Sequence, residues 1–522
     1  MLAYLRKMTK KEIFWPLLIF IIALVLRLHN SSELFFWNID EDRFALTAKR
    51  ILIDHRPVLI GYSLPRDIYL GPIFPYILSF WYFLVGMNPF GLPVIAAILT
   101  AITAVLVFFV GKTIFEYKRI GTIASLLYAF SSLAVVYSKV LTELTIAPII
   151  ALLTYLILYQ NLKSKKPVNL IWLWVVLIVA VQNEGSSFSL LVLVAAVWLI
   201  YRFKIPIRKL AFLLIMMVGS HISLLIFDLR HNFFLTKSFV GFFSGGVSGQ
   251  VPLLAFENLT KSFEIFPNTL ARFLLISGEK SISGQILPCA DLITQRESAI
   301  SGTSFFFAVI ILLFFITSIF LKKKRAYGQQ IIFIHFAVML IGIFLFNVFM
   351  GDWFFEWILV IFLPGFSLMI AYFFKKISEN IRYGNLLTFT ILGVLMFANL
   401  KSIYLTKDAF GLAAKAEATE KALREVDKKP FFLDSIGSCF AQGYNYLFWY
   451  FGNFPTHSYS DDQFTPTYYP RSTNKKPSLG AVMVNPSKEE SEEFKTRYNF
   501  YKQKAKKIER VGAIEILIVE LN

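Results

Sequence analysis

Long runs of apolar residues alternate with short clusters of lysine and arginine over most of this chain. The first run, residues 13–28, approaches the roughly 20 helical residues that cross a bilayer, and basic residues between positions 6 and 11 precede it. A segment inside lipid must satisfy its backbone polar groups internally, so apolar runs of this length form helices there. The pattern therefore predicts an all-α polytopic membrane protein whose N-terminus lies in the cytoplasm.

The composition agrees with this interpretation. Of the 522 residues, 56% are hydrophobic and only 16% are charged, whereas soluble domains carry about 25% charged residues. The net charge of +18 lies largely in clusters between the apolar runs. At those places it indicates cytoplasmic loops and not a nucleic-acid-binding surface, so no nucleic acid is expected as a partner.

The basic clusters assign a side of the membrane to each loop. The apolar stretch 73–85 is short, and if it crossed, Lys112, Lys118 and Arg119 would fall outside the cell. We therefore expect the stretch 73–85 to lie flat as an interfacial helix. The same assignment of sides predicts a long outer loop at 228–303. About eleven spans result. They are expected at 13–28, 94–110, 120–137, 144–159, 170–181, 188–200, 210–227, 305–321, 331–350, 357–374 and 386–400.

The composition changes after position 400, which divides the chain into an expected membrane domain, 1–400, and an extracytoplasmic domain, 401–522. A stretch rich in alanine, lysine and glutamate, 408–427, predicts a helix. Short apolar runs at 430–433, 480–484 and 513–519 predict strands, so this part is expected to be a small α/β domain. Its aromatic cluster, 444–451, could be core or a membrane-facing patch, and we favour the core.

The two cysteines, Cys289 and Cys439, are too few for a thiolate metal site or a disulfide framework. Both are expected outside the cytoplasm, where one disulfide could form between them.

Three consecutive acidic residues, Asp40, Glu41 and Asp42, follow the first span and are expected at the outer membrane face. Like charges and partial burial raise the pKa of one carboxyl in such a group, which suits general-base chemistry. The alternative is that the triplet caps a helix expected at 43–53, because acidic residues interact favourably with the start of a helix.

Further polar residues are expected at the same depth as the triplet. Each of them alone could be an ordinary residue of a wet helix end. Together they offer carboxylates and cations that could bind a lipid phosphate and activate an acceptor beside it. These residues are Lys139, Glu143, Glu184, Asp228, Arg230, His231, Lys237, Asp352 and Glu356.

Five sequence elements occur in an order that resembles one family. They are Asp40-Glu41-Asp42-Arg43, Gly71-Pro72-Ile73-Phe74-Pro75, Tyr137-Ser138-Lys139 followed by Glu143, Phe227-Asp228-Leu229-Arg230-His231, and the stretch 357–364 with its proline. In this order they resemble the GT-C glycosyltransferases, specifically the group of protein O-mannosyltransferases and the lipid A aminoarabinose transferase.

The resemblance covers the membrane part and implies a function. It implies a polyprenyl-phosphate sugar as donor, used outside the cytoplasm without a bound nucleotide. It also implies that the acidic residue of the first loop activates the acceptor. That residue corresponds to Asp40, with Glu41 beside it and Glu143 as the second acidic residue.

The chain departs from the family at one place. Many members carry a lysine before the proline turn that helps to hold the donor phosphate, whereas Leu70 and Gly71 stand here. The replacement ligands are expected among Arg66, Lys139, Arg230 and Lys237. Further candidate site residues are Asp42, His231, Glu184 and Glu356, and neither a cofactor nor a metal is expected.

Two other classes of function compete with a transferase. A transporter or flippase of a lipid-linked sugar needs ionisable residues near the bilayer midplane, whereas those in this sequence mostly map to one face. A membrane scaffold whose outer domain does the binding would leave the acidic triplet unexplained. The sequence thus favours an inverting glycosyltransferase of the plasma membrane, multi-pass, with its active site outside. Its expected partners are the polyprenyl-phosphate sugar, a lipid, glycan or protein hydroxyl as acceptor, and membrane lipids.

Overall fold

The computed structural model is mostly helical, with a small sheet near the C-terminus. It describes residues 10–64, 68–243, 256–275, 302–321, 326–350, 356–408, 410–427, 429–437, 441–461, 476–485 and 491–520. The helices up to the sheet are α1 (Lys10–Leu28), α2 (Ile39–Leu52), α3 (Ile73–Leu84), α4 (Leu92–Ile114), α5 (Lys118–Phe130), α6 (Ser132–Val136), α7 (Ala147–Ser164), α8 (Leu170–Asn183), α9 (Phe188–Ile200), α10 (Ile207–Ser220), α11 (Ile222–Arg230), α12 (Phe234–Phe243), α13 (Phe256–Leu274), α14 (Gly302–Leu321), α15 (Tyr327–Met350), α16 (Leu363–Asn380), α17 (Gly384–Leu405) and α18 (Leu412–Val426).

Six helical segments of the described part are long and apolar enough to cross a membrane. They are Pro89–Ile114, Glu143–Ser164, Gly302–Phe320, Tyr327–Asn347, Glu356–Asn380 and Gly384–Leu405. The pair α10 and α11 would add a seventh span that bends by 43°. Shorter apolar helices occur at Phe14–Leu28, Ile73–Leu84, Leu170–Asn183 and Gly185–Ile200. The chain is therefore an integral membrane protein, and the count of eleven spans stays a prediction.

The expected span 120–137 is interrupted at Ser131. Helix α5 ends before this residue and α6 begins after it, because the Ser131 side chain accepts a hydrogen bond from the Ala134 N–H and so starts a new helix. A hydroxyl at this place offers the backbone an alternative to the continuous helical ladder.

Helix α3 coincides with the stretch expected to lie flat. Its 12 residues extend for about 18 Å, which is shorter than the hydrocarbon core. Phe74, Leu78 and Tyr82 are buried along one face, while Phe80 and Phe83 are exposed. This two-sided burial fits an interfacial helix, although its orientation in the membrane stays a prediction.

The expected outer loop 228–303 contains two helices that the sequence analysis did not predict, α12 and α13. Helix α13 is amphipathic, and Phe266, Leu270 and Phe273 on its apolar side are buried in the main core of the bundle. Polar residues interrupt its sequence too often for a membrane span, so hydropathy alone did not reveal it.

Seven strands are described, in two sheets. Strands β1 (Ser63–Leu64) and β2 (Ile68–Tyr69) form a small antiparallel hairpin in the first loop. A second sheet has the order β4-β3-β5-β7-β6, in which β3 runs parallel to β4 and β5, and β7 runs antiparallel to β5 and β6. Its strands are β3 (Phe431–Ile436), β4 (His457–Ser458), β5 (Leu479–Val484), β6 (Ala505–Val511) and β7 (Ile514–Glu520).

Helices cover both faces of this second sheet. Along β7, Ile514 and Ile516 pack with α18, whereas Leu517 and Val519 pack with Phe494 of α20 (Glu492–Gln503) on the other face. This alternation follows the two-residue period of a strand. The predicted helix and three predicted strands thus correspond to α18, β3, β5 and β7, while β4 and β6 were not predicted.

The short helix α19 (Asn445–Tyr450) carries most of the aromatic cluster. Tyr446 and Leu447 belong to the main core with the membrane helices, whereas Phe448 packs under the sheet. The preference for core over an exposed patch therefore agrees with the burial of these side chains. The domain division at position 400 stays an expectation, because this segment joins both cores.

Candidate functional site

The acidic triplet forms the first turn of α2. Asn38 is the N-cap, and its Oδ1 accepts a hydrogen bond from the Asp40 N–H at 2.8 Å. Glu41 Oε2 in turn accepts the Asn38 N–H at 3.0 Å, which completes a capping box. The expectation that the helix begins at Arg43 and is capped by the triplet is therefore wrong. The pattern Asn-x-x-Glu starts the helix at Ile39 instead.

The three carboxylates have different surroundings. Asp42 is completely buried and Glu41 is 4% exposed. The side chain of Asp40 is 49% exposed, and its Oδ1 lies 3.2 Å from a guanidinium nitrogen of Arg43. Within the triplet, Asp40 is thus the carboxylate that a substrate in the adjoining space could reach.

Two further carboxylates approach the triplet around one tyrosine. Tyr62 Oη donates a hydrogen bond to Glu143 Oε1 at 2.5 Å, and the charges of Asp40 and Glu184 also act on this phenol. The Arg43 guanidinium lies 5.7 Å from the centre of the Tyr62 ring. We call Asp40, Glu41, Glu143 and Glu184 the acid cluster.

The acid cluster is held by elements that are far apart in sequence. Glu143 begins a short 3-10 helix that precedes α7, and Glu184 is the C-cap of α8. Asn183 Nδ2 donates a hydrogen bond to the backbone oxygen of Glu143 at 2.8 Å and so joins the two elements. The expected convergence of Asp40, Glu41, Glu143 and Glu184 is therefore present in the fold.

Burial controls the protonation of the cluster. It raises the pKa of Glu41 to about 8, and the neighbouring charge of Asp40 adds to this effect. Burial also raises the pKa of Glu184, and it raises the pKa of Tyr62 well above the ordinary range. At neutral pH the Glu41 carboxyl is thus mostly protonated, which lowers the negative charge beside Asp40.

Two oxygen atoms of the cluster lack hydrogen-bond partners within the described part of the chain. They are Glu143 Oε2 and Glu184 Oε1, both buried. Buried carboxylate oxygens are costly unless they accept hydrogen bonds. The cluster could therefore form hydrogen bonds with the hydroxyl groups of a sugar or an acceptor.

Position 71, where the sequence differs from the motif that it resembles, is closely packed against Gln182. A Cβ atom at Gly71 would lie 2.1 Å from Oε1 of Gln182, so any side chain there would displace Gln182. Gln182 is held in turn, because its Nε2 donates to the backbone oxygen of Ser220 at 2.9 Å. In this chain the Gln182 amide fills the space beside position 71.

The predicted phosphate ligands differ in their placement. Lys139 is buried, and its Nζ donates to the backbone oxygens of Arg27 and His29, both at 2.6 Å, at the end of α1. Arg230, the last residue of α11, and Lys237, in the first turn of α12, are exposed. Arg66 lies outside the described residues, as do Asp352, Cys289 and Cys439.

An apolar groove lies between the first-loop hairpin and α11–α12. It encloses about 290 Å³. Asp228, at its polar edge, accepts hydrogen bonds from the N–H groups of Leu235 and Thr236 and so caps α12. We call it the hairpin groove, and its lining residues are Ile68, Tyr69, Leu224, Leu225, Asp228, Leu235, Thr236 and Phe239.

His231 and Glu356 are engaged in contacts of their own. The His231 ring stacks on Phe227, and its Nδ1 lies 2.8 Å from the Phe227 backbone oxygen. Glu356 Oε2 accepts a hydrogen bond from Arg272 at 2.7 Å, and Tyr137 Oη donates to its Oε1 at 3.2 Å. Both members of the Arg272–Glu356 ion pair are 8% exposed.

Sequence reasoning did not identify Tyr62, Arg43 or Arg272. Arg43 could have been found, because it follows Asp40 at the three-residue spacing of neighbouring helical side chains. Nothing in the local sequence marked Tyr62, and Arg272 lay in a segment interpreted as loop. Within the described ranges no group of three or more histidine, cysteine or acidic side chains is arranged to hold a metal ion.

Comparison with known proteins gives a result at the level of fold. No family model and no curated protein matches the sequence. Among solved structures, ArnT from Cupriavidus metallidurans bound to undecaprenyl phosphate matches with a TM-score of 0.57 at 11% identity, covering 97% of this chain and 98% of that one. The oligosaccharyltransferase AglB from Archaeoglobus fulgidus, in complex with an inhibitory peptide and a dolichol-phosphate, matches with a TM-score of 0.44 at 12% identity, covering 84% of this chain and 63% of that one.

The likeness to ArnT, a lipid A aminoarabinose transferase, spans nearly the whole length of both chains. The chain therefore has the GT-C fold, and the resemblance drawn from the sequence is confirmed at that level.

Proposed function

We propose that this protein is an inverting glycosyltransferase that moves a sugar from a polyprenyl-phosphate donor to an acceptor hydroxyl outside the cytoplasm. The observation that carries the proposal is the acid cluster, in which buried carboxylates surround one accessible carboxylate, Asp40. Perturbed carboxylates gathered at one point are typical of catalytic sites. The fold of ArnT, whose structure holds undecaprenyl phosphate, supports a lipid-phosphate donor.

Asp40 is the proposed general base. As the acceptor oxygen attacks the anomeric carbon, its proton passes to the Asp40 carboxylate. The bond between the anomeric carbon and the phosphate oxygen breaks at the same time, and its electron pair leaves with the polyprenyl phosphate. One displacement inverts the configuration and requires a single base.

Glu41, Glu143 and Glu184 support the reaction in different ways. A mostly protonated Glu41 reduces the negative charge beside Asp40, and it keeps the first turn of α2 in place through the capping box. The oxygens of Glu143 and Glu184 that have no partner among the described residues would form hydrogen bonds with sugar or acceptor hydroxyls. Such bonds orient the reacting groups, and orientation is a large part of catalysis in a single displacement.

The hairpin groove is the proposed site of the isoprenoid chain. Its walls are mostly apolar, and Leu225 and Phe239 are exposed towards the space that lipid would fill. The hairpin links it to the acid cluster, because Tyr69 lines the groove while Tyr62 binds Glu143. A chain in the groove would place its phosphate near one end of α11 or α12.

Arg230 and Lys237 are therefore the retained candidates for the donor phosphate, and Arg43 joins them as a cation beside Asp40. An arginine offers a bidentate fork to phosphate oxygens. Lys139 leaves this set because its ammonium group binds backbone oxygens. Arg66 remains a candidate from the sequence.

The sidedness of the membrane belongs to the proposal. With basic clusters in the cytoplasm, the acid cluster and the 401–522 domain lie outside. A reporter fused after Lys166 should read cytoplasmic, and one fused after Asn522 should read extracytoplasmic. An extracytoplasmic signal after Lys166 would contradict this arrangement.

The direct test uses purified protein in lipid vesicles with a panel of radiolabelled polyprenyl-phosphate sugars. We expect one donor to lose its label to an acceptor or to water, with inverted anomeric configuration in the product. Label that crosses the bilayer but stays on the lipid would indicate a flippase. Label that neither moves nor transfers with any donor would contradict both functions.

A further inference from the structure

The first turn of α2 is bound on one side by residues that follow it by some 400 positions. Asp42 Oδ1 accepts the Tyr446 N–H at 2.7 Å, and Asp42 Oδ2 accepts both the N–H and the Nδ2 of Asn445 at 3.2 Å. These donors belong to α19, in the part of the chain expected to form the outer domain. All of these groups are buried.

A second set of contacts holds the residue before the N-cap. Trp37 Nε1 donates to the backbone oxygen of Gly443 at 2.6 Å, and Lys415 Nζ donates to the backbone oxygens of Trp37 and Gln442. Lys415 is completely buried in α18. Its ammonium group therefore joins two chain segments through their backbone oxygens.

Gly443 brings the two segments into direct backbone contact. Its φ of +104° is disfavoured for other residues, and a Cβ atom there would lie 2.8 Å from the backbone oxygen of Asn38. Only glycine thus allows this approach to the N-cap of α2. Together, Trp37, Asp42, Lys415, Gly443, Asn445 and Tyr446 form a set of contacts that we call the C-terminal latch.

The latch and the acid cluster use opposite sides of the same helical turn. Positions 40 and 42 are separated by about 200° around a helix axis. Asp42 accordingly faces the C-terminal latch, while Asp40 faces Arg43 and Tyr62. Any rotation of this turn would move Asp40 with respect to Glu143.

We propose that the C-terminal latch is a positioning device for catalysis, in which Asp42 and Lys415 set the orientation of Asp40. Asp42 then acts as a positioning residue. The 401–522 part of the chain thereby becomes a component of the active site through its contacts with the first turn of α2. This inference rests on the proposed function only in naming Asp40 as the base.

The test compares Asp42→Asn and Lys415→Met with Arg424→Met, which removes an exposed cation from the same helix as Lys415. Two quantities are measured: the kinetics of sugar transfer and the hydrogen–deuterium exchange of peptides covering 36–50. We expect both latch variants to lower kcat by roughly tenfold or more while the KM for the donor stays within about twofold. Exchange in 36–50 should become faster while the peptides of α4 and α7 keep their protection.

Asn445→Ala serves as a milder variant in case the others do not fold, because it removes one side-chain bond to Asp42 and leaves both N–H donors. It should lower kcat by a few-fold in the same direction. Unchanged exchange in 36–50 together with unchanged kcat in folded latch variants would overturn the proposal. A general loss of protection across the bundle would also overturn it, because the contacts would then serve stability alone.

The two proposals fail in different ways. If Asp40→Asn transfers sugar at the normal rate, Asp40 is not the base, and the exchange data still decide whether the latch orders the turn. If Asp40→Asn is inactive while Asp42→Asn and Lys415→Met are normal, the proposed function stands and the latch is refuted.

Discussion

The acid cluster and the Arg272–Glu356 ion pair are two buried polar groups in neighbouring parts of the bundle. The short helix that begins at Glu143 is in contact with the one that begins at Glu356. In the ion pair, a carboxylate meets a guanidinium at 2.7 Å, so its charge is compensated. In the acid cluster, carboxylates outnumber cations, and oxygens of Glu143 and Glu184 have no partner within the described residues.

This difference separates a structural role from a functional one. A compensated ion pair holds α13 against the start of Glu356–Phe362. Uncompensated carboxylates destabilise a fold, so their presence indicates a use for them. Four predictions test this contrast, beginning with the largest expected effect.

Breaking the Arg272–Glu356 ion pair should lower the stability of the fold and leave the rate of sugar transfer unaffected. Glu356→Gln leaves the buried Arg272 without its charged partner, which should lower the free energy of unfolding by about 3–5 kcal/mol. Thermal unfolding in detergent measures this effect. The control is Glu379→Gln, which removes a more exposed ion pair with Lys375 and Lys376 and should change stability by less than about 1 kcal/mol. Equal stability of the Glu356→Gln and Glu379→Gln variants would contradict a structural role for the Arg272–Glu356 ion pair.

Removing the proposed base should have the opposite effect, because it should lower activity and leave stability nearly unchanged. Asp40→Asn keeps the shape of the side chain and should reduce kcat by roughly 10²-fold, about 2.7 kcal/mol of transition-state stabilisation, with donor binding and thermal stability nearly unchanged. Glu143→Gln should also impair transfer, but less, because it retains one oxygen acceptor. Transfer kinetics with the active donor check both. Normal turnover in Asp40→Asn would exclude it as the base.

The third prediction compares two exposed cations, Arg230 and Lys237, as ligands of the donor phosphate. Arg230→Ala should raise the KM for the donor several-fold more than Lys237→Ala, because a guanidinium can bind two phosphate oxygens at once. Donor titrations of both variants, with Lys166→Ala as a control on an expected cytoplasmic loop, measure the difference. Insensitivity to Arg230, Lys237 and Arg43 together would place the phosphate elsewhere.

The last prediction concerns the pH dependence of stability. Folding raises the pKa of Glu41 from its ordinary value of 4.5 to about 8, so the folded state binds the proton more tightly than the unfolded state. Stability contributed by this group is present below pH 4.5 and is lost as the pH rises towards 8. Glu41→Gln keeps the capping box, since glutamine also serves at that position, and it removes the titration. The melting temperature of the wild type should therefore fall relative to this variant between pH 5 and 8, and parallel curves would contradict the assignment.

Much of the fold could be predicted from the sequence because hydropathy acts over short distances. The apolar runs correspond to helices, and the predicted helix and strands after position 400 correspond to α18, β3, β5 and β7. The motif order was sufficient to suggest the GT-C fold. Helix α13 was not predicted because its sequence mixes polar with apolar residues, and the burial of its apolar side depends on neighbours distant in sequence.

The candidate site likewise has features that the sequence determined and features that only the tertiary structure determined. The sequence alone determined that Asp40, Glu41 and Asp42 would stand together after the first span, since adjacency in the chain guarantees it. Only the tertiary structure decided which of the three is accessible, because Asp42 is buried by α19 and Glu41 by its cap. The tertiary structure also decided the role of Lys139. Its charge suggested a phosphate ligand, but its ammonium group binds two backbone oxygens. The residue type fixes what a side chain can do, whereas the environment that selects one role comes from segments folded against it.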